Sequence, residues 1–496
     1  MKLNQLFSFF DFSHQAADLS ELFETEVDSI CFDTRQVKQN SVFVAIKGHD
    51  RDGHDYLKQA VEAGAIALVV ENKSKVPSDY KKLVVELRDT RSALDMLASR
   101  FYQYPSQQLF CMGVTGTNGK TSITYIIEHI MAYHGKKFGV MGTVNHRVGD
   151  KVWDSQMTTP DPVTLQSRLR DFLEHSAVGA VMEVSSHALD QKRVNSVNFN
   201  TVIFTNLTLD HLDYHKDMQS YFEAKQKLFT DLMWLSLKAP KFAVINVDDA
   251  YGRRLKVADE VITWTYGQGE SDFQFKILKM NFSETEFEIK TAVETVRATV
   301  PVSGRHSIYN IVASCVAALS CGLSLQQSVE SLKDFKGVPG RLQRVDSDSQ
   351  KVVFVDYAHT PDALENVLNS IRQVRKDAKS SNKIITVFGC GGDRDKSKRP
   401  LMAKIAAELS DFVVVTSDNP RTEAPESIMD DICAGLPKDF KNFEREVDRE
   451  RAVHMAISKA GSGDVVLIAG KGHEDYQIIG TEKKQFSDFD VAKKYL

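Results

Sequence analysis

The stretch VTGTNGKTS, Val114–Ser122, decides the fold. It lies between the apolar run LFCMGV (109–114) and a pattern of apolar residues at helical spacing. Strand, glycine loop and helix is the order found in a P-loop, where backbone N–H groups and the helix N-terminus hold phosphate. Lys120 can reach the β- and γ-phosphates of a nucleotide, and the Thr121 hydroxyl can hold Mg²⁺. A full Walker pattern has glycine where this chain has Val114, so the sequence predicts a shortened phosphate-binding loop.

Apolar runs that end in turn residues alternate with helical patterns from about residue 106 to 337, and again from 338 to 496. This alternation predicts an α/β fold with doubly wound, mostly parallel sheets that bind ligands beyond the carboxyl ends of their strands. Residues 1–105 predict a small α/β domain, and the alternation over 261–302 predicts an antiparallel insertion or sheet extension. We therefore expect three domains, at roughly 150 residues each.

The composition is that of an ordinary globular protein, with 42% hydrophobic and 26% charged residues and a formal net charge of −5. That balance argues against a nucleic-acid partner. The six cysteines form no CxxC pair, which predicts reduced thiols in a cytoplasm and neither a zinc site nor a disulfide framework. The N-terminal residues do not resemble a signal peptide, and no apolar run approaches the roughly 18 residues of a membrane span. We expect a cytoplasmic protein without membrane insertion.

Three predicted strands end in a polar side chain. Glu183 ends AVGAVME, Asn206 ends TVIFTN and Asn246 ends FAVIN. Three such residues around one point of chain reversal suggest a lined site near the P-loop. Glu183 and His211 are plausible Mg²⁺ partners there, although histidine is an uncommon magnesium ligand and core histidines are commoner than ligands.

A lysine stands in the apolar stripe of the helical pattern over residues 220–232. Lys225 shares a face with Tyr221 and Phe229, whereas Lys227 points away from it. Burial of an unpaired ammonium costs several kcal/mol, so Lys225 either extends to solvent, or is buried and then must lose its proton, find a partner or be modified. A neutral amine can take up CO₂ to form a carbamate that binds metal. Periodicity alone leaves both interpretations open.

A series of motifs together indicates a family. They occur in order over residues 116–474 and read GTNGKT, EVSSHAL, TNLTLDHLDYH, FEAKQKLF, GRHSIYNIVAS, DYAHTPDALE, FGCGGDRDKSKRP, SDNPRTEAP and AGKGHE. The chain resembles the Mur ligases, which build the stem peptide of peptidoglycan, and most closely those that add meso-diaminopimelate to UDP-MurNAc-L-Ala-D-Glu. The resemblance implies a UDP-MurNAc-binding domain (1–105), a central ATP-binding domain (106–337) and a C-terminal Rossmann-like domain (338–496) that binds the incoming amino acid. It also implies an acyl-phosphate intermediate, ATP as co-substrate, two Mg²⁺, and a monomer that acts in cell wall biogenesis.

The resemblance further implies roles for individual residues. The catalytic group would be Lys120, Glu183, His211 and Lys225, with Lys225 as N6-carboxylysine. One Mg²⁺ would be held by Thr121 and Glu183, and the other by Glu183, His211 and Lys225. ATP would contact Gly116, Thr117, Asn118, Gly119, Lys120, Thr121, Asn310, Arg341, Asp356 and His359. The UDP-MurNAc-dipeptide would contact Thr34, His54, Thr158, Thr159, Asp161, Ser185 and Arg193. The chain departs from the family pattern at Ser307, where members often carry asparagine.

The charges of the incoming amino acid indicate which residues could bind it. Meso-diaminopimelate differs from lysine by a second α-amino acid centre, so a selective site needs a fork for the extra carboxylate and an acceptor for its ammonium. Arg421 with Asn419 offers the fork, Glu474 offers the acceptor, and Arg394 can take the other carboxylate. The predicted diaminopimelate set is Arg394, Asp418, Asn419, Pro420, Arg421, Gly470 and Glu474. By the resemblance, lysine-adding members lack arginine at the position of Arg421.

Other functions remain to be distinguished. One is a lysine-adding ligase, and another is folylpolyglutamate synthetase, which shares the ATPase core but is not expected to carry TTPD, or DNPR with GKGHE. A nucleotide-dependent binding protein with a decayed ligase site would be expected to have lost Lys120, Glu183, His211 or Lys225, and all four are present.

Overall fold

The structure is a computed structural model of the chain and describes residues 1–9, 20–48, 51–211, 214–347, 349–378 and 381–496. Contacts between Cα atoms divide the chain into two compact units. The first unit comprises Met1–Ser271 and Val316–Leu323, and the second comprises Asp272–Cys315 and Ser324–Leu496. Two predicted motifs, KGHDRDGHDY and TNLTLDHLDYH, lie partly outside the described residues.

The N-terminal part of the first unit is a small parallel α/β layer, as predicted. Its strands pair in the order β1-β2-β3-β4 and are β1 (Ser29–Cys31), β2 (Ser41–Val44), β3 (Ala67–Val70) and β4 (Leu83–Glu86). The helices are α1 (Leu3–Leu6), α2 (Ser20–Phe23), α3 (Leu57–Glu62), α4 (Thr90–Phe101) and α5 (Pro105–Gln108). The apolar residues of β2 and β3 are fully buried, and α4 begins where the Asp89 carboxylate accepts from the Ser92 N–H.

The rest of the first unit is built on a larger sheet. Its strands are β5 (Phe110–Thr115), β6 (Phe138–Met141), β7 (Asn145–Val148), β8 (Lys151–Asp154), β9 (Gly179–Glu183), β10 (Thr201–Phe204), β11 (Lys241–Asn246) and β12 (Val261–Gly267). They pair in the order β12-β11-β10-β5-β9-β6-β7-β8, and only β7 and β8 are antiparallel to their neighbours. The helices are α6 (Lys120–Tyr133), α7 (Pro162–Glu174), α8 (Ser186–Asp190), α9 (Met218–Gln226) and α10 (Met233–Leu235). Strand β5 lies where the chain order reverses, which is the usual ligand crevice of such sheets.

The alternation over 261–302 predicts an antiparallel insertion or sheet extension, and β12 forms the extension. It runs parallel to β11, a direction that the alternating pattern did not specify. The connection from Asn246 to Val261 contains a short helical turn at Gly252–Arg254, and it is long enough to carry the chain back to the same end of the sheet.

The second unit begins with an antiparallel meander, which agrees with the rest of that prediction. Its strands are β13 (Phe273–Met280), β14 (Thr285–Lys290) and β15 (Thr295–Val300). A six-stranded sheet follows in the order β16-β17-β21-β18-β19-β20, in which only β16 is antiparallel. These strands are β16 (Gln343–Arg344), β17 (Val352–Asp356), β18 (Ile384–Phe388), β19 (Phe412–Thr416), β20 (Phe443–Glu446) and β21 (Val465–Ala469), and a hairpin of β22 (Tyr476–Ile479) and β23 (Glu482–Gln485) comes after them.

Helices cover both faces of the six-stranded sheet, and a separate apolar cluster lies on each face. The helices that cover this sheet are α13 (Pro361–Asp377), α14 (Lys398–Leu409), α15 (Pro425–Cys433), α16 (Arg449–Lys459) and α17 (Asp488–Tyr495), whereas α11 (Arg305–Leu319) and α12 (Leu325–Glu330) precede its first strand. Helix α11 passes from the second unit into the first. Within the described ranges, no helix is long and apolar enough to cross a bilayer.

Candidate active site

The P-loop connects β5 to α6, as the sequence predicts. Gly116 and Gly119 have φ of 143° and 91°, in the left-handed region that favours glycine. A Cβ on Gly116 would also lie 1.9 Å from the Thr205 hydroxyl oxygen. The Lys120 ammonium donates to the carbonyl oxygens of Gly116 at 2.9 Å and Thr117 at 2.7 Å. The loop therefore curves around the lysine that is predicted to meet phosphate.

Strand β10 supports the loop from one side. The Asn206 side-chain oxygen accepts from the Asn118 N–H at 3.0 Å, and the Thr205 hydroxyl donates to the Asn118 carbonyl at 2.6 Å. Asn246 at the end of β11 donates to the Thr205 carbonyl at 2.7 Å. The expectation that these strand ends line the P-loop is confirmed for Asn206, whereas Asn246 acts one step further away, through Thr205.

Glu183 ends β9 on the other side of the loop, and its side chain is buried. One carboxylate oxygen accepts from the Thr121 hydroxyl at 2.9 Å and from the Thr143 N–H at 2.8 Å. The Thr143 hydroxyl donates to the other oxygen at 3.2 Å. Sequence reasoning missed Thr143. The sequence did contain a feature that could have identified it. Thr143 comes directly after the glycine that ends the apolar run 138–142, so it is one more polar side chain at the end of a parallel strand.

Lys225 is 1% exposed, so it does not extend to solvent. Its side-chain nitrogen donates to the Gly116 carbonyl at 2.9 Å and lies 4.5 Å from the centre of the Tyr221 ring. Burial, reinforced by the charge of Lys120, holds the pKa of Lys225 well below its ordinary value. Lys227 is 44% exposed and pairs with Asp190, as the helical pattern predicts. Of the two interpretations of Lys225, the structure supports the neutral amine.

His211 follows β10 in the loop before α9 and is half-buried, with φ of 55°. The centre of its ring lies 5.8 Å from that of the Tyr221 ring and 5.0 Å from that of the His187 ring. Burial lowers the pKa of His211, so the imidazole is neutral near pH 7. Among the residues that the structure describes, no three His, Cys, Asp or Glu side chains converge on a metal position.

The residues predicted for the UDP-MurNAc-dipeptide fall into two groups. One group lies beside Glu183, where the Thr159 hydroxyl donates to the Glu183 carbonyl at 2.8 Å and the Arg193 guanidinium donates to the Thr159 carbonyl at 2.8 Å. The Ser185 N–H donates to the Thr159 hydroxyl at 3.0 Å, and the hydroxyl oxygens of Thr158 and Thr143 lie 3.0 Å apart. Asp161 caps α7 by accepting from two backbone N–H groups.

The second group lies in the N-terminal layer. His54 is buried, with one ring nitrogen 2.6 Å from Asp52 and the other accepting from the Glu71 N–H at 2.8 Å. Thr34 donates to the Gln59 side chain at 3.4 Å. The contacts of Thr34 and His54 with a uridine stay predictions.

Four predicted ATP contacts lie in the second unit. Both Asp356 oxygens accept backbone N–H groups, from Leu342 at 2.6 Å and Ala358 at 2.8 Å, and desolvation raises the pKa of Asp356 while Arg341 opposes the rise. The Arg341 guanidinium lies 5.1 Å from the centre of the Tyr357 ring. The remaining two are Asn310, in α11, and His359, which is exposed on the loop after β17.

The predicted amino-acid residues meet beyond the carboxyl ends of β18, β19 and β21. Arg421 has φ of 51°, and its guanidinium donates to the Gly392 carbonyl at 2.9 Å. The Asn419 amide donates to the Glu474 carboxylate at 2.9 Å. Around them, Arg394 is exposed on the loop after β18, Pro420 contacts Gly392, and Asp418 lies against Gly470. Sequence reasoning missed Lys471, which is buried between two glycines in the same place.

The first unit thus presents a P-loop with a buried carboxylate and a buried amine, as expected of an ATP-dependent ligase. Three family descriptions match the chain. They are "Mur ligase family, catalytic domain" over residues 26–102, "Mur ligase middle domain" over 114–318, and "Mur ligase, glutamate ligase domain" over 340–472. The chain belongs to the Mur ligase family and is an ATP-dependent amide ligase.

Individual proteins and solved structures are also similar to this chain. A protein of Bacillus cereus named UDP-N-acetylmuramoyl-L-alanyl-D-glutamate--2,6-diaminopimelate ligase is 43% identical, over 95% of this chain and 94% of its own length. A solved structure with the same name superposes with a TM-score of 0.72 at 30% identity, and covers 100% of this chain and 98% of the other. Folylpolyglutamate synthase of Mycobacterium tuberculosis is 16% identical over 77% of this chain and 92% of its own, with a TM-score of 0.60, and shares the fold alone.

Proposed function

We propose that the protein joins meso-diaminopimelate to UDP-MurNAc-L-Ala-D-Glu, with conversion of ATP to ADP and phosphate. The observation that carries this proposal is the group formed by Asn419, Arg421 and Glu474, which places a guanidinium, an amide and a carboxylate at one sheet edge. The names of the relatives support the same substrates. The product would serve peptidoglycan precursor synthesis in the cytoplasm, and we expect the enzyme to be a monomer.

The reaction needs two steps because a carboxylate is a poor acylating agent at neutral pH. In the first, an oxygen of the D-glutamyl γ-carboxylate attacks the γ-phosphorus of ATP, the bond to the bridging oxygen breaks, and ADP leaves. In the second, the unprotonated diaminopimelate amine attacks the acyl carbon, phosphate leaves, and the nitrogen gives up a proton as the amide forms. No side-chain nucleophile is required, so catalysis depends on positioning and on stabilising charge.

The P-loop provides part of that stabilisation. Lys120 at the N-terminus of α6 places a positive charge where the β- and γ-phosphates are expected. The reacting carboxylate and the triphosphate are both anionic, so their approach is unfavourable without such a cation. In the second unit, Asn310, Arg341, Asp356 and His359 are proposed as ATP contacts.

Residues beside the P-loop fit a magnesium ion. Thr121 and Glu183 present a hydroxyl and a buried carboxylate 2.9 Å apart, and oxygen ligands of this kind are those that Mg²⁺ prefers. When bound, Mg²⁺ would lower the repulsion between the phosphate oxygens and the incoming carboxylate. Thr143 holds Glu183 from the other side, so that the carboxylate keeps its orientation.

A second Mg²⁺ would require a change at Lys225. As an amine, Lys225 offers no oxygen ligand, but its lowered pKa favours the unprotonated form that reacts with CO₂. The nitrogen forms a bond to the CO₂ carbon and releases a proton, which gives an anionic carbamate. We propose that this carbamate, Glu183 and His211 hold the second ion.

The test is product identity. The purified protein is incubated with ATP, Mg²⁺, UDP-MurNAc-L-Ala-D-Glu and either meso-diaminopimelate or L-lysine. The molecular masses of the products are then measured by mass spectrometry. The proposal predicts the UDP-tripeptide that contains diaminopimelate. A product containing only lysine would support the lysine-adding alternative, and ATP hydrolysis without a UDP-linked product would argue for neither.

A further inference from the structure

Lys471 is a buried cation to which the proposed reaction assigns no role. It follows β21 in the segment AGKGHE, between Gly470 with φ of 120° and Gly472 with φ of 55°. A Cβ on Gly470 would lie 2.6 Å from an Asp418 oxygen, and one on Gly472 would lie 2.7 Å from Tyr357. The chain therefore turns sharply on both sides of Lys471, and its side chain is 0% exposed.

Among the residues that the structure describes, the hydrogen bonds and ion pairs of the Lys471 ammonium go to the predicted amino-acid site. Its ammonium donates to the Asn419 side-chain oxygen at 3.2 Å and to one Glu474 oxygen at 3.1 Å. The nearest Asp418 oxygen lies 3.7 Å away. A buried ammonium is stable only when it is paired and hydrogen-bonded, and these three residues provide the pairing.

Lys471 and the Ile478 N–H together determine which way the Asn419 amide faces. The Asn419 oxygen accepts from Lys471 and from the Ile478 N–H at 2.9 Å. A flipped amide would put its NH₂ group against two donors, so the observed orientation is strongly preferred. The amide nitrogen is thereby directed at Glu474, to which it donates at 2.9 Å.

The Glu474 carboxylate is held in a similar way. Within the part of the chain that the structure describes, both hydrogen bonds to this side chain fall on Oε2. Its other oxygen, Oε1, is then the one that can accept from a substrate ammonium. Lys471 also offsets part of the negative charge that Glu474 and Asp418 bring together.

We infer that Lys471 is a positioning residue for selection of the amino acid, because it fixes Asn419 and Glu474 as one pair that recognises the substrate's second α-amino acid centre. This inference rests on the proposed function. Lys471 need not contact the substrate, since it acts through the two side chains that do. The substrate class it favours is an amino acid with a zwitterionic centre at each end.

The experiment compares Lys471→Met with Lys483→Met. Lys483 is an exposed lysine whose ammonium lies over the Tyr476 ring at 3.8 Å, so its loss removes a cation nearby without removing a bond to Asn419 or Glu474. Lys471→Met keeps the apolar stem. We expect its KM for diaminopimelate to rise by about 10- to 150-fold, the range for loss of a charge-assisted hydrogen bond, with KM for ATP and for the UDP-dipeptide unchanged within about twofold. Lys483→Met should behave as wild type.

A purely structural role gives a different result. It would raise all three KM values together or lower kcat alone, and either outcome overturns the inference. The double variant Lys471→Met/Glu474→Gln removes both charges, so that neither is left unpaired in the fold. If Lys471 acts through Asn419 and Glu474, its replacement raises the KM for diaminopimelate by a smaller factor in Glu474→Gln than in the wild type, whereas fully additive effects overturn the inference.

The outcome for the wild type separates this inference from the proposed function. A wild-type protein that makes no diaminopimelate product overturns the proposed function. An active wild type with an unchanged KM for diaminopimelate in Lys471→Met overturns only the role of Lys471.

Discussion

Lys120 and Lys225 donate to the same atom, the carbonyl oxygen of Gly116, each at 2.9 Å. Two ammonium groups on one acceptor would repel each other strongly in a buried site. Burial first, and the charge of Lys120 second, lower the pKa of Lys225, so one donor is an ammonium and the other is an amine. The P-loop thus keeps one charged lysine for phosphate and one uncharged lysine that is able to react.

Replacement of Lys225 tests that division. We expect Lys225→Ala to lose at least about 100-fold in kcat, because the proposed carbamate can no longer form. Added short-chain carboxylates should restore part of the activity by supplying the missing oxygens. The matched control is Lys227→Ala, since Lys227 lies two residues away on the exposed face of the same helical segment. Full activity of Lys225→Ala without any additive would contradict the carbamate role.

The Thr143 hydroxyl should contribute to kcat/KM for ATP, although the sequence did not predict a role for it. Thr143→Val removes the hydroxyl that donates to Glu183 but keeps the shape of the side chain and its backbone N–H. A hydrogen bond to a carboxylate contributes about 1.5–3 kcal/mol, so kcat/KM for ATP should fall by roughly 10- to 150-fold. Thr143→Ser keeps the hydroxyl and should stay within about threefold of wild type, and equal kinetics for the two variants would show that the bond has no role.

The buried carboxyl of Asp95 should make the free energy of unfolding depend on pH. This carboxyl is buried on α4, and burial raises its pKa to about 7, although the Ser196 hydroxyl donates to it. Between the ordinary pKa of about 4 and a pH of about 7, the folded protein holds a proton that the unfolded chain has lost. The contribution of Asp95 to the free energy of unfolding therefore falls as pH rises through this window.

Asp95→Asn should remove this contribution. The variant should be more stable than wild type at pH 8, by up to about 4 kcal/mol, and should differ little at pH 4. Urea unfolding at both pH values measures the difference. The control is Asp89→Asn, where burial is outweighed by hydrogen bonds from Lys192 and Ser92 that lower the pKa of Asp89 to about 2. Its loss should destabilise the protein above pH 4, which is the opposite sign.

Arg421 should select the amino acid. Arg421→Lys keeps a positive charge but loses the planar fork, so the preference for diaminopimelate over lysine should fall by about tenfold or more. Arg394→Lys makes the same chemical change on an exposed side chain of the neighbouring loop and should have the smaller effect on that preference. The ratio of the two kcat/KM values measures it, and an unchanged ratio in Arg421→Lys would remove this residue as the selector.

The strand that precedes the P-loop and four strands of the six-stranded sheet, β17, β18, β19 and β21, could be predicted because each is a short apolar run that ends in a glycine or a polar residue. Strands β16 and β20 were not predicted, because their sequences, QR and FERE, are not apolar runs. The parallel direction of β12 could not be predicted, since an alternating pattern gives the faces of a strand and not the direction of its neighbour. The split of the Lys225 helix, which ends at Gln226 and continues as a π-helical turn at Leu228–Leu232, left no signal in the apolar spacing.

The motifs identified the candidate site better than the periodicity did. Helical spacing placed Lys225 on an apolar face but could not show what the lysine contacts there. In the structure, the Lys225 nitrogen donates to the Gly116 carbonyl of the P-loop. Thr143 and Lys471 were missed because each acts through another side chain, Glu183 or Asn419, across contacts that are distant in sequence. Such partners can be identified only once the strand order is known.

The most direct test of the central claim is the amino-acid dependence of phosphate release by the wild-type protein, with ATP, Mg²⁺ and UDP-MurNAc-L-Ala-D-Glu all saturating. The predicted result is release that requires the amino acid, with kcat/KM for meso-diaminopimelate at least about 100-fold above that for L-lysine. Equal values for the two amino acids, a preference for lysine, or release that is indifferent to both would contradict the assignment.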